Sequence, residues 1–137
     1  TLLSSLPQAD RLKLILVNKR TALHTAAWNG YTETLSGILS CLTAEQQLQL
    51  LFTQDSDGDT ALQYATLLGH TETVKTLLDN LTPEQQLQLL SVQNKEGKTA
   101  SQEAAGYYRA ADIMRILENY KKDADYRVNF RKFAKFS

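Results

Sequence analysis

Apolar residues recur along the chain at a spacing that is typical of amphipathic helices. Val74, Leu77 and Leu78 lie at positions i, i+3 and i+4. The same spacing occurs 39 residues earlier at Leu35, Ile38 and Leu39, and 39 residues later at Ile113, Ile116 and Leu117. Residues this far apart share one face of an α-helix. The pattern therefore predicts three helices whose apolar faces contribute to one core.

Polar residues between these faces predict where further helices begin and end. The hydroxyl of Thr60 can accept hydrogen bonds from the first turn of a helix of about nine residues. Gly69 is expected to end that helix, because glycine tolerates the left-handed conformation that follows many helices. The next helix is predicted from Thr71 to Asn80.

A third, short helix is predicted in the segment LTPEQQLQLL, residues 81–90. Thr82 is placed as N-cap, Pro83 suits the first helical position, and Gln85 completes a capping box. Residues 42–51 repeat this segment with one difference in ten positions, which predicts helices over 83–90 and 44–51. Glycine-containing turns then follow at 55–59 and 94–98.

The chain is a repeat protein with a period of 39 residues, since the segments that begin at Thr21, Thr60 and Thr99 correspond. A period of this length indicates units that cannot bury their apolar faces alone. We predict an all-α solenoid of about three units, each with an extra short helix, between terminal capping helices. The predicted repeat domain is 1–120, with a partial unit at 1–17, whose capping helix starts at Leu6, and units at 18–56, 57–93 and 94–118. Residues 121–137 form a separate tail.

The segment from Asp55 to Leu78, DSDGDTALQYATLLGHTETVKTLL, resembles the ankyrin repeat, whose pattern is D-x-x-G-x-T-P-L-H-x-A-x-x-x-G-H-x-E-x-V-x-x-L-L. Three features depart from the family: alanine replaces its proline in every copy, the period exceeds the usual length of about 33 residues, and the third copy is degraded. There Ser101 replaces leucine and Tyr108 replaces glycine, so a different local turn is expected. Long repeats with extra helices are similar to the ankyrin effectors that intracellular bacteria deliver into host cells.

The resemblance implies which residues bind a partner, because the family uses its hairpin tips and the exposed side of the first helix of each unit. Transferred by position, the implied partner-binding residues are Arg20, Thr25, Trp28, Asn29, Asp57, Asp59, Tyr64, Leu67, Leu68, Lys95, Glu96, Lys98 and Tyr107. This set places aromatic and leucine side chains on one concave face inside a charged rim, as protein interfaces usually have. The alternative is that Trp28, Tyr64, Leu67 or Leu68 packs against the next unit.

The amino-acid composition argues against some classes of function. The 137 residues are 42% hydrophobic, and 15 basic residues balance 15 acidic ones, so no overall field favours nucleic acid or anionic membrane. A single cysteine, Cys41, excludes an intrachain disulfide and favours a reducing, intracellular compartment. For a secreted effector this would be the host cytoplasm or nucleus. No apolar run approaches a membrane span. The chain starts without Met, and we expect a piece of a longer protein.

Candidate catalytic and metal sites are weak in this sequence. The only histidines, His24 and His70, are explained by the repeat pattern, so we expect no catalysis, no cofactor and no metal. Asp55, Asp57 and Asp59 alternate like the start of a calcium loop, but Tyr64 occupies the position of the required bidentate acid. A turn is therefore the favoured interpretation.

The tail after Asn119 is basic and aromatic, with six basic and two acidic residues from Lys121 onward. With Asp123 as a possible cap, Tyr126, Phe130 and Phe133 share one helical face. Three interpretations compete, and docking on the last unit as a cap is favoured over a linker to another domain. An arm for nucleic acid or anionic lipid is the least favoured.

These observations predict a noncatalytic module that binds another protein and no small-molecule substrate. The alternative is a substrate-targeting fragment of a larger enzyme, possibly a bacterial effector that acts in a host cell. A structural spacer is the third possibility.

Overall fold

The computed structural model describes residues 16–17, 20–106 and 110–134, and most of this part of the chain is helical. One short antiparallel pair joins β1 (Leu16–Val17) to β2 (Arg20–Thr21). The helices are α1 (Ala22–Asn29), α2 (Thr32–Ser40), α3 (Ala44–Phe52), α4 (Ala61–Leu67), α5 (Thr71–Asp79), α6 (Pro83–Leu90), α7 (Ala100–Ala104) and α8 (Ala110–Ala134). The predicted all-α architecture is confirmed for the described residues.

Successive units stack in two layers of helices. The first helices of the units, α1, α4 and α7, pack side by side and form the first-helix layer. The second helices, α2, α5 and α8, form the second-helix layer behind it. Eight of the nine apolar residues that define the predicted core faces are buried, whereas Ile116 is half-buried and packs against the core. The core is therefore a strip that runs through all three units, as expected for a solenoid.

Capping boxes set the start of five of these helices. Each N-cap is a threonine whose hydroxyl accepts from the third helical amide, while that residue's side chain accepts from the threonine amide. The pairs are Thr21–His24, Thr43–Gln46, Thr60–Gln63, Thr82–Gln85 and Thr99–Gln102. The predicted short helices are present at nearly the predicted bounds. Gly30 and Gly69 follow α1 and α4 with φ of 71° and 73°.

Glutamine side chains attach the two short helices to the second-helix layer. The side-chain amide of Gln47 donates to the carbonyl of Leu39 at 2.6 Å, and that of Gln86 donates to the carbonyl of Leu78 at 2.8 Å. Both carbonyls lie in the last turn of a helix, where the main chain lacks partners. The glutamines in the repeated segment thus have a structural role that its sequence pattern did not reveal.

The last helix differs from the sequence-based prediction. No break occurs at Asp123, because α8 runs without interruption from Ala110 to Ala134 and replaces a separate short helix in the third unit. It packs along α6 and buries Ala124, and Arg131 pairs with Glu84 at 2.8 Å. The aromatic face points the other way, with Tyr126, Phe130 and Phe133 exposed. The tail thus lies against α6 of the second unit, whereas the sequence analysis favoured docking on the last unit, and its aromatic face is exposed.

Some predictions lie at or beyond the limits of the described residues. The sequence predicted a helix from Leu6 to Val17. Leu16–Val17 instead form a strand, and the rest of that segment lies outside the described residues. The expected turn at Tyr108 also lies outside them. Among the helices that the structure describes, none is long and apolar enough to cross a lipid bilayer.

Candidate functional site

The second and third hairpins stack directly on each other through their main chains. The amide of Lys95 donates to the carbonyl of Asp57 at 3.0 Å. The side-chain amide of Gln54 donates to the carbonyls of Gly58 and Gln93, at 2.8 and 2.9 Å. These contacts form a continuous edge of hairpin tips beside the first-helix layer.

Both hairpins are closed by the side chain at the first position of the turn. Asp55 Oδ1 accepts from the amides of Asp57 and Asp59, at 2.9 and 3.0 Å. Asn94 Oδ1 accepts in the same way from Glu96 and Lys98, at 3.0 and 3.1 Å. The carboxylates of Asp55, Asp57 and Asp59 lie within 4.8 Å of one another. Because Asp55 closes the turn, its carboxylate supports the turn interpretation.

The side chain that completes each first-helix capping box also reaches the next unit. His24 Nε2 lies 2.8 Å from the carbonyl of Asp59, and its Nδ1 accepts from the amide of Thr21 at 3.1 Å. This pattern assigns the proton to Nε2. Gln63, which corresponds to His24, donates to the carbonyls of Val92 and Lys98, at 3.2 and 3.1 Å. The helices and hairpins are therefore held in fixed register.

Tyr64 does not lie on the exposed surface where the repeat pattern placed it. Its side chain is 5% exposed, and its hydroxyl donates to Asp55 Oδ2 in the hairpin of its own unit. A tyrosine hydroxyl that is buried usually has a hydrogen-bond partner, and here that partner draws the ring inward. The alternative, that Tyr64 packs within the stack, is the one that the structure supports.

Trp28 stands at the surface and rests on Tyr64. Its indole is 47% exposed, and its ring meets that of Tyr64 edge to face, with centroids 5.4 Å apart. His70 Nε2 bonds the carbonyl of Trp28 at 3.0 Å. A Cβ at Gly30 would lie 2.7 Å from His70 Nδ1, so this close approach needs glycine. Trp28 is thus an exposed aromatic side chain on a firmly held backbone.

The other predicted residues divide by exposure. Leu68 is exposed and Leu67 is half-buried, while Thr25 and Asn29 are exposed on α1. Asp57, Lys95, Glu96 and Lys98 are exposed at the hairpin tips, and Asp59 is half-buried. The side chains of Arg20 and Tyr107 lie outside the described residues.

Two carboxyl groups meet between the hairpins and α7. The side-chain amide of Asn94 donates to Asp59 Oδ1 at 3.1 Å and to Glu103 Oε1 at 2.8 Å. Burial, together with the charges of Asp59 and Glu96, raises the pKa of Glu103 to about 7, although Lys98 opposes the shift. Burial, followed by Asp55 and Asp57, also raises the pKa of Asp59. Glu103 therefore titrates near neutral pH.

Glu103 and Asn94 occupy the positions of Tyr64 and Asp55 one unit later, with donor and acceptor exchanged. In the second unit the helix donates to a hairpin carboxylate, and in the third the hairpin donates to a helix carboxylate. In both cases the paired residues lie nine positions apart and are chemically complementary. The sequence reasoning missed this signal.

Comparison with known proteins gives one result for this chain. A family model described as ankyrin repeats (3 copies) matches residues 2–88 and, in an overlapping alignment, residues 42–130. No curated protein matches the chain.

Proposed function

Because the chain belongs to the ankyrin-repeat family, we propose that it is a noncatalytic module that binds another protein. Ankyrin repeats generally serve as protein–protein interaction modules. In this proposal the binding surface consists of the exposed residues of the first-helix layer and the hairpin tips, and Tyr64 supports that surface from within.

The proposal rests mainly on Trp28. An aromatic side chain that is half exposed and rigidly supported buries a large area on binding, and it loses little rotamer freedom when it does so. Leu67 and Leu68, at the end of α4, extend the apolar area, and the charged hairpin tips lie along one edge of the first-helix layer. Asp57 and Asp59 are acidic, whereas the third tip carries both signs in Lys95, Glu96 and Lys98. A partner would have to carry charges of opposite sign in the same order along its surface.

The histidines support a noncatalytic function. His24 is fully buried and bonded to main-chain groups, and His70 bonds the main chain of the preceding unit. Both side chains thus have structural roles. The resemblance to bacterial effectors depends on the long repeat and its extra helix, and it stays a prediction. The alternative of a substrate-targeting fragment of a larger enzyme also stays a prediction.

The test begins with capture of partners from a eukaryotic lysate and identification by mass spectrometry. The affinity of a purified partner is then measured for Trp28→Ala. We expect a loss of roughly 2 kcal/mol or more, about 30-fold. Tyr31→Ala is the matched control, because Tyr31 is also an exposed aromatic residue but is the N-cap of α2, in the second-helix layer. Unchanged affinity in a folded Trp28→Ala protein would rule out the proposed surface.

A further inference from the structure

A groove of about 420 Å³ opens at the end of the stack, between α6, α7 and the start of α8. Leu87, Leu90, Met114 and Leu117 form its apolar part, and the polar part of its lining includes Thr99, Gln102, Glu118 and Lys121. None of its lining residues is among the partner-binding residues implied by the repeat pattern, although Ser101 and Gln102 lie on α7 of the first-helix layer. Its volume is in the range of ordinary ligand-binding clefts.

The groove arises because serine replaces a bulky residue at two of its lining positions. Ser101 stands where the second unit has Leu62, and Ser91, directly after α6, stands where α3 of the first unit ends with Phe52. Leu62 is 1% exposed in the core, whereas Ser101 is half-buried and lines the groove. The substitutions remove volume at the one end of the stack where no further described unit follows.

The corresponding place in the second unit is occupied by the chain itself. There, Gln63 is 1% exposed and donates to the carbonyls of Val92 and Lys98, and Val92 packs against the core. The segment 92–98 thus docks on the second unit through main-chain carbonyls and one aliphatic side chain. This segment contains no helix, and it includes the turn of the third hairpin.

The third unit keeps the donor that holds this segment. Gln102 corresponds to Gln63, and its Oε1 accepts from the amide of Thr99 at 3.0 Å. The same capping bond directs the Gln63 side chain, so the amide group of Gln102 is held in the same way. Gln102 is exposed and lines the groove. Its side-chain nitrogen has no acceptor among the residues that the structure describes.

The geometry points to this groove as a docking site for a non-helical loop segment of a partner polypeptide. An aliphatic side chain of the segment lies between Leu90, Met114 and Leu117, and its main-chain carbonyls accept from Gln102. The occupant is inferred by continuity with the interface between the second and third units. The groove would bind a partner in the way that the second unit binds the third.

Met114 offers a direct readout, because it is the only methionine in the chain. Protein labelled with ¹³C at the methionine methyl group gives a single signal from the groove. The probe is a synthetic peptide with the sequence of residues 90–98, LSVQNKEGK, which contains the segment that docks on Gln63. We expect a saturable shift of the Met114 signal on titration with this peptide. A peptide with aspartate in place of Val92 should produce no such shift.

Two variants test the two parts of the site. Gln102→Ala should weaken peptide binding about fivefold, as expected for the loss of one hydrogen bond. Ser101→Leu restores the residue of the second unit and should abolish binding by filling the groove. Tyr31→Ala is the control, because Tyr31 is exposed and does not line the groove, and it should leave peptide binding unchanged. Peptide binding is measured without the partner, so this result is separable from the partner-binding test above.

Several outcomes would overturn the inference. One is a Met114 signal that does not move at millimolar peptide, and another is an equal shift with the aspartate peptide. Undiminished binding in a folded Ser101→Leu protein would place the peptide elsewhere. A Met114 signal that depends on protein concentration without peptide, together with a dimer in sedimentation, would identify a second copy as the occupant and refute a partner segment.

Discussion

Gly58 provides the sharpest test of the stacked hairpins that carry the proposed surface. Its φ is +81°, and a Cβ built on it would lie 2.7 Å from the amide nitrogen of Lys95 and 3.0 Å from Cα of Asn94. Both are main-chain atoms of the next hairpin, so they cannot rotate away. Ordinary contact begins at 3.4 Å, and Gly58→Ala must therefore separate the hairpins by several tenths of an ångström.

Gly97→Ala is the matched control, because Gly97 has the same place in the third hairpin. Its φ is +76°, and nothing lies within 4 Å of a Cβ there among the described residues. It should lose only the cost of a left-handed alanine, about 1–2 kcal/mol. Gly58→Ala adds overpacking of about 1–3 kcal/mol, which includes strain on the 3.0 Å bond from the Lys95 amide to the Asp57 carbonyl.

The two variants are compared by urea unfolding, followed by circular dichroism. Gly58→Ala should be less stable than Gly97→Ala by at least about 1 kcal/mol. With an m-value of about 1–3 kcal/mol/M, this moves the midpoint by roughly 0.3–1 M. The comparison requires equal m-values, because repeat proteins can unfold unit by unit. Equal stabilities of the two variants would refute direct contact between the hairpins.

Three further predictions use the same unfolding assay. Gln63→Ala should cost about 2–4 kcal/mol because it removes three side-chain hydrogen bonds, one buried and two partly buried, whereas Gln102→Ala should cost about 1 kcal/mol for its capping bond. Equal losses would contradict the role of Gln63 between units. Tyr64→Phe keeps the ring against Trp28 but leaves Asp55 without the hydroxyl, so a loss of about 1–3 kcal/mol is expected, and a neutral result would remove Tyr64 as the hairpin support. The pKa of Glu103 is raised to about 7 in the folded state, so the folded state retains a proton that the unfolded state has released. The contribution of Glu103 to the free energy of unfolding is therefore present at low pH and is lost as the pH rises through about 7. The stability gained by Glu103→Gln should accordingly grow between pH 5 and 8, and a gain that is constant with pH would contradict the raised pKa.

Local signals explain why helix bounds were predictable from the sequence. The Thr-x-x-Gln boxes and the glycines after α1 and α4 act within a few residues, so they predict ends without knowledge of the fold. The same reasoning accounts for the error in α8. Lys121 stands where the second unit has Thr82, the N-cap of α6. Without a capping hydroxyl and without glycine or proline from Ala110 to Ala134, nothing ends the helix.

The orientation of Tyr64 depends on a longer range of interactions. The repeat pattern places that position toward a partner, and Thr25, one unit earlier, is indeed exposed. Tyr64 instead turns inward because its own hairpin supplies a carboxylate, Asp55. Whether the side chain at this position of the first helix is exposed depends on the residue that the hairpin offers as its partner. The repeat pattern treats each position separately, so it does not predict that pairing.

Positions that differ between the units carry more information about function than those that repeat. The threonine caps, the glutamine contacts and the apolar strip recur, and they build the stack. At the position of Trp28 the next unit has Leu67, and at the position of Leu62 the last unit has Ser101. The first difference gives the first-helix layer a single large anchor, and the second opens a groove where the stack ends. Because these changes leave the repeated contacts intact, one scaffold can present two separate binding surfaces.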